Sequence, residues 1–286
     1  MIDFILQNWS VLAPTLLLFF AVGFFAQLVD GAIGMAYGVI SSSVLLAFGV
    51  PPAQASATIH AAECFTTGAS SASHISHKNI DWRLFWRLAP AGVVGGVAGA
   101  YLLTGFDPTF IKALVFVYLA ILGLFMLGRA IRGLKEEPPR LKHVVPLGVA
   151  GGFLDATGGG GWGPVVTSTL LGRGHTPRYV IGSVNSAEFF ITLAISATFI
   201  WTLFTGRFVL EGGLAQGLAA LAGLVLGGVI AAPLAGYVTK IVPARLLLGA
   251  AGFLVIGISI WQGIQLWPDL LEYPITAQLA HMVSVH

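Results

Sequence analysis

Long apolar runs without a charged side chain recur along this chain, and they constrain its fold more than any other feature. A helix that crosses the hydrocarbon core of a bilayer needs about 20 apolar residues. Only 9% of the residues are charged, against about 25% in soluble domains, which excludes a water-soluble enzyme and a disordered chain. The charge-free runs cover 4–29, 31–62, 88–106, 113–128, 189–206, 212–239 and 246–268.

The runs are continuously apolar and do not alternate, which favours helices over a barrel. A net charge of +2 without a basic stripe excludes a nucleic-acid partner. A single cysteine permits no internal disulfide, and we expect no metal and no cofactor. The predicted partner is therefore the lipid bilayer. We predict helices over 14–28, 35–48, 53–76, 84–104, 110–131, 144–154, 164–172, 178–204, 212–238 and 245–266.

Two pairs of these segments are too short to span comfortably, 14–28 with 35–48 and 144–154 with 164–172. A glycine-rich stretch joins the members of each pair, 30–34 in the first and 155–164 in the second. Irregular backbone at membrane depth is stable only where protein or water satisfies it. We therefore predict two hairpins of half-helices, and ordinary spans with glycine linkers are the alternative.

The two halves of the chain are copies of one unit. A shift of 125 positions aligns 30–75 with 155–200 without a gap, and 16 of the 46 paired residues are identical. The identities include both carboxylates of the aligned stretch, which apolar sequences do not match readily by chance. The paired positions include Asp30/Asp155, Gly34/Gly159, Gly38/Gly163, Glu63/Glu188 and Thr67/Thr192, with Tyr37 opposite Trp162.

Lys and Arg accumulate in cytoplasmic loops, and here their positions indicate that the copies are inverted. If each short pair returns to the side it entered, 12 of the 14 basic residues fall on one face and only Lys112 and Arg207 on the other. Inverted repeats with broken helices are typical of secondary transporters. We predict repeats over 1–131 and 144–266, a cytoplasmic linker 132–143, a C-terminal tail 267–286 and both termini outside the cytoplasm.

Ionisable side chains inside apolar helices are costly and therefore mark functional candidates. Glu63 and Glu188 could fasten a broken-helix turn or carry protons during transport, and the two roles are compatible. Asp30 and Asp155 precede the glycines, where a carboxylate can cap a half-helix. His60 could carry a proton or be a hydrogen-bonded core histidine.

Half-helix amino termini turn free amides and a positive dipole end into the protein, which favours a small oxyanion. Glycines that only permit close packing are the alternative, and the glycines at 92–99 and 223–227 are expected to have that role alone. The predicted substrate-binding residues are Gly34, Tyr37, Gly38, Ser42, Gly159, Gly160, Gly161, Trp162, Gly163, Thr167 and Asn185.

The duplicated helical plan, with Asp30-Gly31-x-x-Gly34 in one copy and Gly158 to Pro164 in the other, resembles the TauE/SafE sulfite exporter family. The Asn185-Ser186-x-Glu188 motif is also similar to this family. The resemblance implies transport of sulfur oxyanions, sulfite or organosulfonates, across a prokaryotic inner membrane, with export driven by protons.

We thus predict an all-α polytopic membrane protein with two inverted-topology repeats, each a broken or re-entrant helix pair followed by three spanning helices. The expected function is proton-coupled secondary transport of a small sulfur oxyanion, with His60, Glu63 and Glu188 coupling protons. The alternatives are a passive anion channel, a cation-coupled carrier using Asp30, Glu63, Asp155 and Glu188, and an intramembrane enzyme, which no motif supports.

Overall fold

The computed structural model describes residues 9–106, 108–132, 143–172, 176–210, 214–241 and 243–272, and these parts of the chain are helical. Most of the predicted linker and the tail beyond residue 272 lie outside these residues. The helices are α1 (Trp9–Ile33), α2 (Tyr37–Ala47), α3 (Pro52–Ser76), α4 (Trp82–Leu103), α5 (Pro108–Arg132), α6 (Val144–Gly158), α7 (Ser168–Gly172, directly after a π-helical turn Gly163–Thr167), α8 (Pro177–Phe204), α9 (Leu214–Ile241) and α10 (Ala244–Glu272).

Local sequence sets several of these boundaries. Proline, which lacks an amide hydrogen, occupies the first turn of α3 and α8, a position where no intrahelical donor is needed. Asp81 caps α4 by accepting hydrogen bonds from the amides of Arg83 at 2.9 Å and Leu84 at 3.3 Å. Gly34 and Gly159 follow α1 and α6 with φ of +69° and +67°, a conformation that favours glycine and ends a helix.

Five helices of the described chain, α1, α5, α8, α9 and α10, are long and apolar enough to cross a membrane. The chain is therefore a polytopic, multi-pass membrane protein, as predicted. Helices α3 and α4 have 25 and 22 residues, which is long enough, but α3 carries a polar stripe and α4 has arginines at positions 83 and 87. Helices α2 and α6 are apolar and short.

The prediction of a half-helix at 14–28 is wrong. Helix α1 runs over 25 residues and contains a candidate span, Leu12–Gly31, because one glycine at position 31 costs only about 1 kcal/mol in a helix. Only the second copy joins two short helices. Helix α10 also ends later than predicted, at Glu272 and not at residue 266.

Close helix pairs hold the two copies together in a reciprocal way. The first helix of each copy packs along the fourth helix of the other, α1 on α9 and α6 on α4, and α5 packs on α10. Glycine makes these contacts possible: a Cβ on Gly95 would lie 2.0 Å from the Val149 carbonyl oxygen, and one on Gly227 would lie 2.1 Å from that of Phe20. The predicted packing role of these glycine motifs is confirmed.

Candidate functional site

A polar cavity lies where the breaks of the two copies meet, among α1, α2, α3, α8 and the turn between α6 and α7. Its water-accessible volume is about 20 Å³, room for about one water molecule. Four carboxyl side chains line it, and none of its lining residues is Lys or Arg. The lining residues are Gln27, Asp30, Ala36, Tyr37, Gly38, Val39, Glu63, Thr66, Thr67, Ser70, Asp155, Gly160, Gly163, Pro164, Asn185 and Glu188.

The two glycine turns cross in direct backbone contact beside this cavity. A Cβ on Gly38 would lie 2.6 Å from the Gly159 carbonyl oxygen and 2.7 Å from the Gly160 Cα, and one on Gly160 would lie 2.2 Å from the Val39 amide nitrogen. No side chain fits between the turns. The glycines at 38 and 160 thus permit close packing, and the same residues also line the cavity.

Asp155 fastens the second turn. It lies in the last turn of α6, is only 1% exposed, and its Oδ1 accepts hydrogen bonds from the amides of Gly161 at 2.7 Å and Trp162 at 2.9 Å. A carboxylate that reaches six and seven residues along the chain therefore holds the amides that begin the next helix. These two amides are occupied by the protein itself and are unavailable to a ligand.

His60 holds the other oxygen of Asp155. Its Nδ1 lies 2.7 Å from the Ser56 carbonyl oxygen, so Nδ1 carries a hydrogen and donates. Its Nε2 lies 3.2 Å from Asp155 Oδ2, and that contact needs a second proton between nitrogen and oxygen. His60 and Asp155 therefore share one proton across this contact, and both side chains are buried.

Asp30 occupies the equivalent place in the first copy. Its carboxylate faces the amides of Ala36 and Tyr37, its Oδ1 accepts from the Tyr37 amide at a longer 3.3 Å, and the residue is partly exposed. Position 185, which aligns with His60, is an asparagine whose Nδ2 donates to Ser70 Oγ at 3.1 Å. The first turn therefore has no counterpart of the imidazole that pairs with Asp155.

Glu63 and Asn185 present free acceptors to the cavity. Glu63 is 3% exposed, and its Oε2 has no hydrogen-bond partner within the described residues. Asn185 Oδ1 also lacks a partner there. Glu188 lines the same space and is partly exposed. Polar atoms this buried are normally hydrogen-bonded, so unpaired ones at a cavity indicate a place for a ligand or a proton.

Of the predicted binding residues, the structure brings Tyr37, Gly38, Gly160, Gly163 and Asn185 to the cavity, together with Asp30, Glu63, Asp155 and Glu188. His60 does not line the cavity itself but contacts Asp155, which does. The other predicted residues do not line it. They are Gly34, Ser42, Gly159, Gly161, Trp162 and Thr167.

Trp162 was expected to line the site opposite Tyr37. Instead it is fully buried, its Nε1 donates to the Val184 carbonyl oxygen at 3.2 Å, and its ring packs near Gly92 and Gly151. The two predicted hydroxyl residues, Ser42 and Thr167, do not line the cavity either. Ser42 Oγ donates to the Val39 carbonyl within its own helix, and Thr167 Oγ1 has no partner within the described chain.

Four polar lining residues, Gln27, Thr66, Thr67 and Ser70, are absent from the predicted site residues. A sequence signal existed for each. Gln27 precedes Asp30 by one helical turn, and Thr66, Thr67 and Ser70 follow Glu63 at spacings of three, four and seven, so all lie on the faces that carry the carboxylates.

A cation could also bind here. His60, Glu63 and Asp155 each offer a ligand atom, and these atoms lie within 4.8 Å of one another. Among the described residues, these three form the group of His, Cys, Asp or Glu side chains that lie close enough together to hold one metal ion. Mixed imidazole and carboxylate donors suit first-row divalent metals better than large alkali ions.

The fold and this cavity together define a class of protein: a polytopic membrane transporter with a polar site buried between two copies of one unit. A sequence profile described as "Sulfite exporter TauE/SafE" matches residues 19–262. The chain is 41% identical over 252 residues, 84% of its own length and 80% of the relative's, to "Probable membrane transporter protein YtnM" of Bacillus subtilis (strain 168). The chain therefore belongs to the TauE/SafE sulfite exporter family. No solved structure matches it.

Proposed function

We propose that this protein is a secondary transporter that exports a small sulfur-containing oxyanion, sulfite or an organosulfonate, in exchange with or together with protons. The family supports transport as the general activity. The substrate and the coupling are inferences from the cavity.

One observation carries the anion proposal. Gly38 and Gly163 occupy equivalent positions in the two copies and line the same cavity with bare backbone. Their amides have no acceptor among the described residues, whereas those of Gly161 and Trp162 are taken by Asp155. Each stands at the start of a helix, where amides and the helix dipole favour negative charge. The hydroxyls of Thr66 and Ser70 supply further neutral donors, whereas that of Thr67 donates to the Glu63 carbonyl oxygen.

The charges around the cavity link anion binding to protons. Asp155 is neutralised by His60, but Asp30, Glu63 and Glu188 have no basic side chain beside them in the lining. An anion placed among ionised carboxylates would be repelled strongly in this low-dielectric setting. Protonated Glu63 and Glu188 would instead present O–H donors to it. Binding of the anion and protonation of these carboxyls thus favour each other.

The reciprocal helix pairing supports an inverted repeat with the boundaries predicted from sequence, 1–131 and 144–266. An exchange of conformation between two inverted copies would open the cavity to each side in turn. The basic loops then face the cytoplasm, and both termini lie outside the inner membrane. Labelling of single cysteines at Lys112 and Arg132 from each side of the membrane tests this orientation.

The test of the proposed function is flux into proteoliposomes of purified protein. Sulfite, sulfoacetate, sulfate and chloride are applied in turn, with and without a pH gradient, while anion content and lumenal pH are recorded together. We expect saturable flux of sulfite or sulfoacetate and uphill accumulation when the pH gradient is present. Downhill flux alone would identify a passive channel, and absence of anion flux under every gradient would contradict the sulfur-anion proposal.

Glu63→Gln and Glu188→Gln sharpen this test because glutamine keeps the shape and hydrogen-bond donors but cannot release a proton. We expect both variants to bind and exchange the anion while losing accumulation driven by the pH gradient. Asp81→Asn is the matched control, since that carboxyl caps α4 outside the cavity and its loss should leave coupling intact.

The second candidate function is a cation-coupled carrier, favoured by the acidic lining and by the ligand atoms of His60, Glu63 and Asp155. The same glutamine variants separate the two. A cation carrier should lose binding when Glu63 loses its charge, whereas the anion carrier should keep binding and lose only the coupling.

A further inference from the structure

A second and much larger cavity lies at one end of the bundle. It is formed by the start of α1, the end of α2, the starts of α3 and α9, and the link between α2 and α3. Its water-accessible volume is about 450 Å³, more than twenty times that of the central cavity. Polar side chains face it among the apolar ones. Its lining includes Phe19, Leu45, Gln54, Thr58, Gln216 and Ala220.

The two cavities are lined by the same helices at different heights and share no lining residue. On α3, Thr58 lines the large cavity and Glu63 the central one, five residues or about 7.5 Å apart along the axis. On α9, Ala220 lines the large cavity, and Gly228, two turns further along, packs against Tyr37. The separation is therefore one to two helical turns.

Fully buried side chains fill this separation. Ala26, Ile59, Ala62 and Leu224 are each 0% exposed, and they come from α1, α3 and α9. Three buried serines, 41–43, lie at the same height on α2. Gly23 lets α1 and α9 close tightly here, since a Cβ on it would lie 2.5 Å from the Leu224 carbonyl oxygen. An ion does not cross such a closely packed layer without movement of at least one of these helices.

Tyr37 joins α2 to α9 at this layer. Its ring lines the central cavity, and its hydroxyl donates to the Leu224 carbonyl oxygen at 3.0 Å, which joins the start of α2 to the middle of α9. Its ring edge also lies near Gly228, where a Cβ would be 3.3 Å from Tyr37 Cε2. Pro233 lies inside α9 one turn further on. Proline removes a helix hydrogen bond and permits bending, so the segment before it can swing away from Tyr37.

We propose that the large cavity is an access vestibule of the transport path and that the Tyr37–Leu224 hydrogen bond latches the gate between it and the central site. The substrate would wait in the vestibule beside Gln54, Thr58 and Gln216, then enter when α9 separates from Tyr37. With room for about one water molecule, the central cavity must widen to admit a four-atom oxyanion. The proposal rests on the proposed transport function but not on the identity of the substrate.

Thiol labelling tests the gate without any substrate. Cys64, the one cysteine of the chain, is replaced by alanine, and single cysteines are introduced at Thr58 in the vestibule and Thr66 in the central cavity. A membrane-impermeant methanethiosulfonate reagent is added on the vestibule side. We expect Thr58→Cys to react fast and Thr66→Cys to be protected.

Adding Tyr37→Phe should then raise the labelling rate at position 66 by about threefold to tenfold, the shift expected from one lost hydrogen bond, while the rate at position 58 stays unchanged. Tyr118→Phe is the matched control, because its buried hydroxyl has no partner within the described chain, and it should change neither rate. An unchanged rate at position 66 in Tyr37→Phe would overturn the latch. No labelling of Thr58→Cys from either side would overturn the vestibule.

The labelling experiment and the flux experiment can each contradict one proposal without affecting the other. Labelling as expected with no anion flux would refute the sulfur-anion function and leave the gate standing. Flux as expected with no effect of Tyr37→Phe on labelling would refute the gate and leave the function. Elution of each variant as one symmetric peak on size exclusion, with an unchanged rate at position 58, shows that the fold has survived the substitution.

Discussion

Gly34 and Gly159 turn the chain with almost the same φ, +69° and +67°, yet the two turns they begin are held very differently. In the second, Asp155 binds two amides and His60 and is 1% exposed. In the first, Asp30 faces the amides of Ala36 and Tyr37, but it reaches the Tyr37 amide only at 3.3 Å, has no histidine partner and is partly exposed. Duplication has thus produced one turn that is firmly anchored and one that is lightly held.

This contrast indicates which of the two turns is displaced more easily. The anchored turn ties α6 to α7 and, through the hydrogen bond from Ser56 Oγ to the Ala156 carbonyl oxygen at 2.6 Å, also to α3. The lightly held turn carries Tyr37, which latches the proposed gate. We therefore expect substitutions at the second turn to affect folding and substitutions at the first to affect the populations of open and closed states.

The largest effect is expected at the crossing of the two turns. Gly160→Ala would place a Cβ 2.2 Å from the Val39 amide nitrogen, a backbone contact that cannot relax without separating the turns. We expect no folded protein, measured as loss of the monodisperse peak in detergent. Gly257→Ala is the control, because nothing lies within 4 Å of its Cβ, and an exposed helical Gly→Ala change should stabilise by up to about 1 kcal/mol. Normal folding of Gly160→Ala would refute the close crossing.

The second-largest effect is expected in a comparison of the two aspartates, each replaced by asparagine. Asp155→Asn leaves His60 without its charged partner, and breaking a buried pair costs about 3–5 kcal/mol. Asp30→Asn loses a longer bond at a partly exposed site and should cost about 1 kcal/mol. Thermal unfolding of both variants in the same detergent measures the difference. Equal losses would show that the two turns are anchored equally.

Sequence patterns predicted most helix boundaries of this fold within a few residues, for example 53–76 against Pro52–Ser76 and 178–204 against Pro177–Phe204. They failed at the ends of α1 and α6, predicted at 28 and 154 and found at 33 and 158. In both copies the aspartate lies inside the last helical turn, because the helix ends only where a glycine takes positive φ. The sequence shows glycines but not which of them does so.

The candidate site was predictable in part for a similar reason. The repeat alignment, and the free-energy cost of an ionisable side chain inside an apolar helix, identified Asp30, Glu63, Asp155 and Glu188. All four line one cavity. The bonds from the amides of Gly161 and Trp162 to Asp155 are local, six and seven residues along the chain. The orientation of the Trp162 side chain depends instead on its packing against other helices, near Gly92 and Val184. Such contacts between distant parts of the chain leave no local pattern.

A smaller effect is expected when the first copy is made to resemble the second at position 60. His60→Asn introduces the residue found at the aligned position 185 and removes the imidazole from Asp155, which keeps its two amide bonds. We expect a loss of about 1.5–3 kcal/mol, the range for a hydrogen bond to a charged group. His74→Asn, a histidine at the end of α3 near Asn79, is the control. A loss no larger than that of the control would show that His60 does not stabilise Asp155.

The smallest effect has the opposite sign and lies in the lightly held turn. Ala36 has φ of +142°, a region that glycine adopts easily and alanine does not, and the aligned residue of the other copy is Gly161. Such strain costs about 1–3 kcal/mol, so Ala36→Gly should relieve it and raise the Tm by a few degrees. Gly161→Ala makes the opposite change at the aligned position and should lower the Tm, because its Cβ would lie 2.2 Å from the Tyr118 hydroxyl oxygen.

If strain in the first turn helps that turn to leave the closed state, Ala36→Gly will also slow labelling at position 66 from the vestibule. A lower Tm for Ala36→Gly would mean that the turn is not strained and that Asp30 alone decides how firmly it is held.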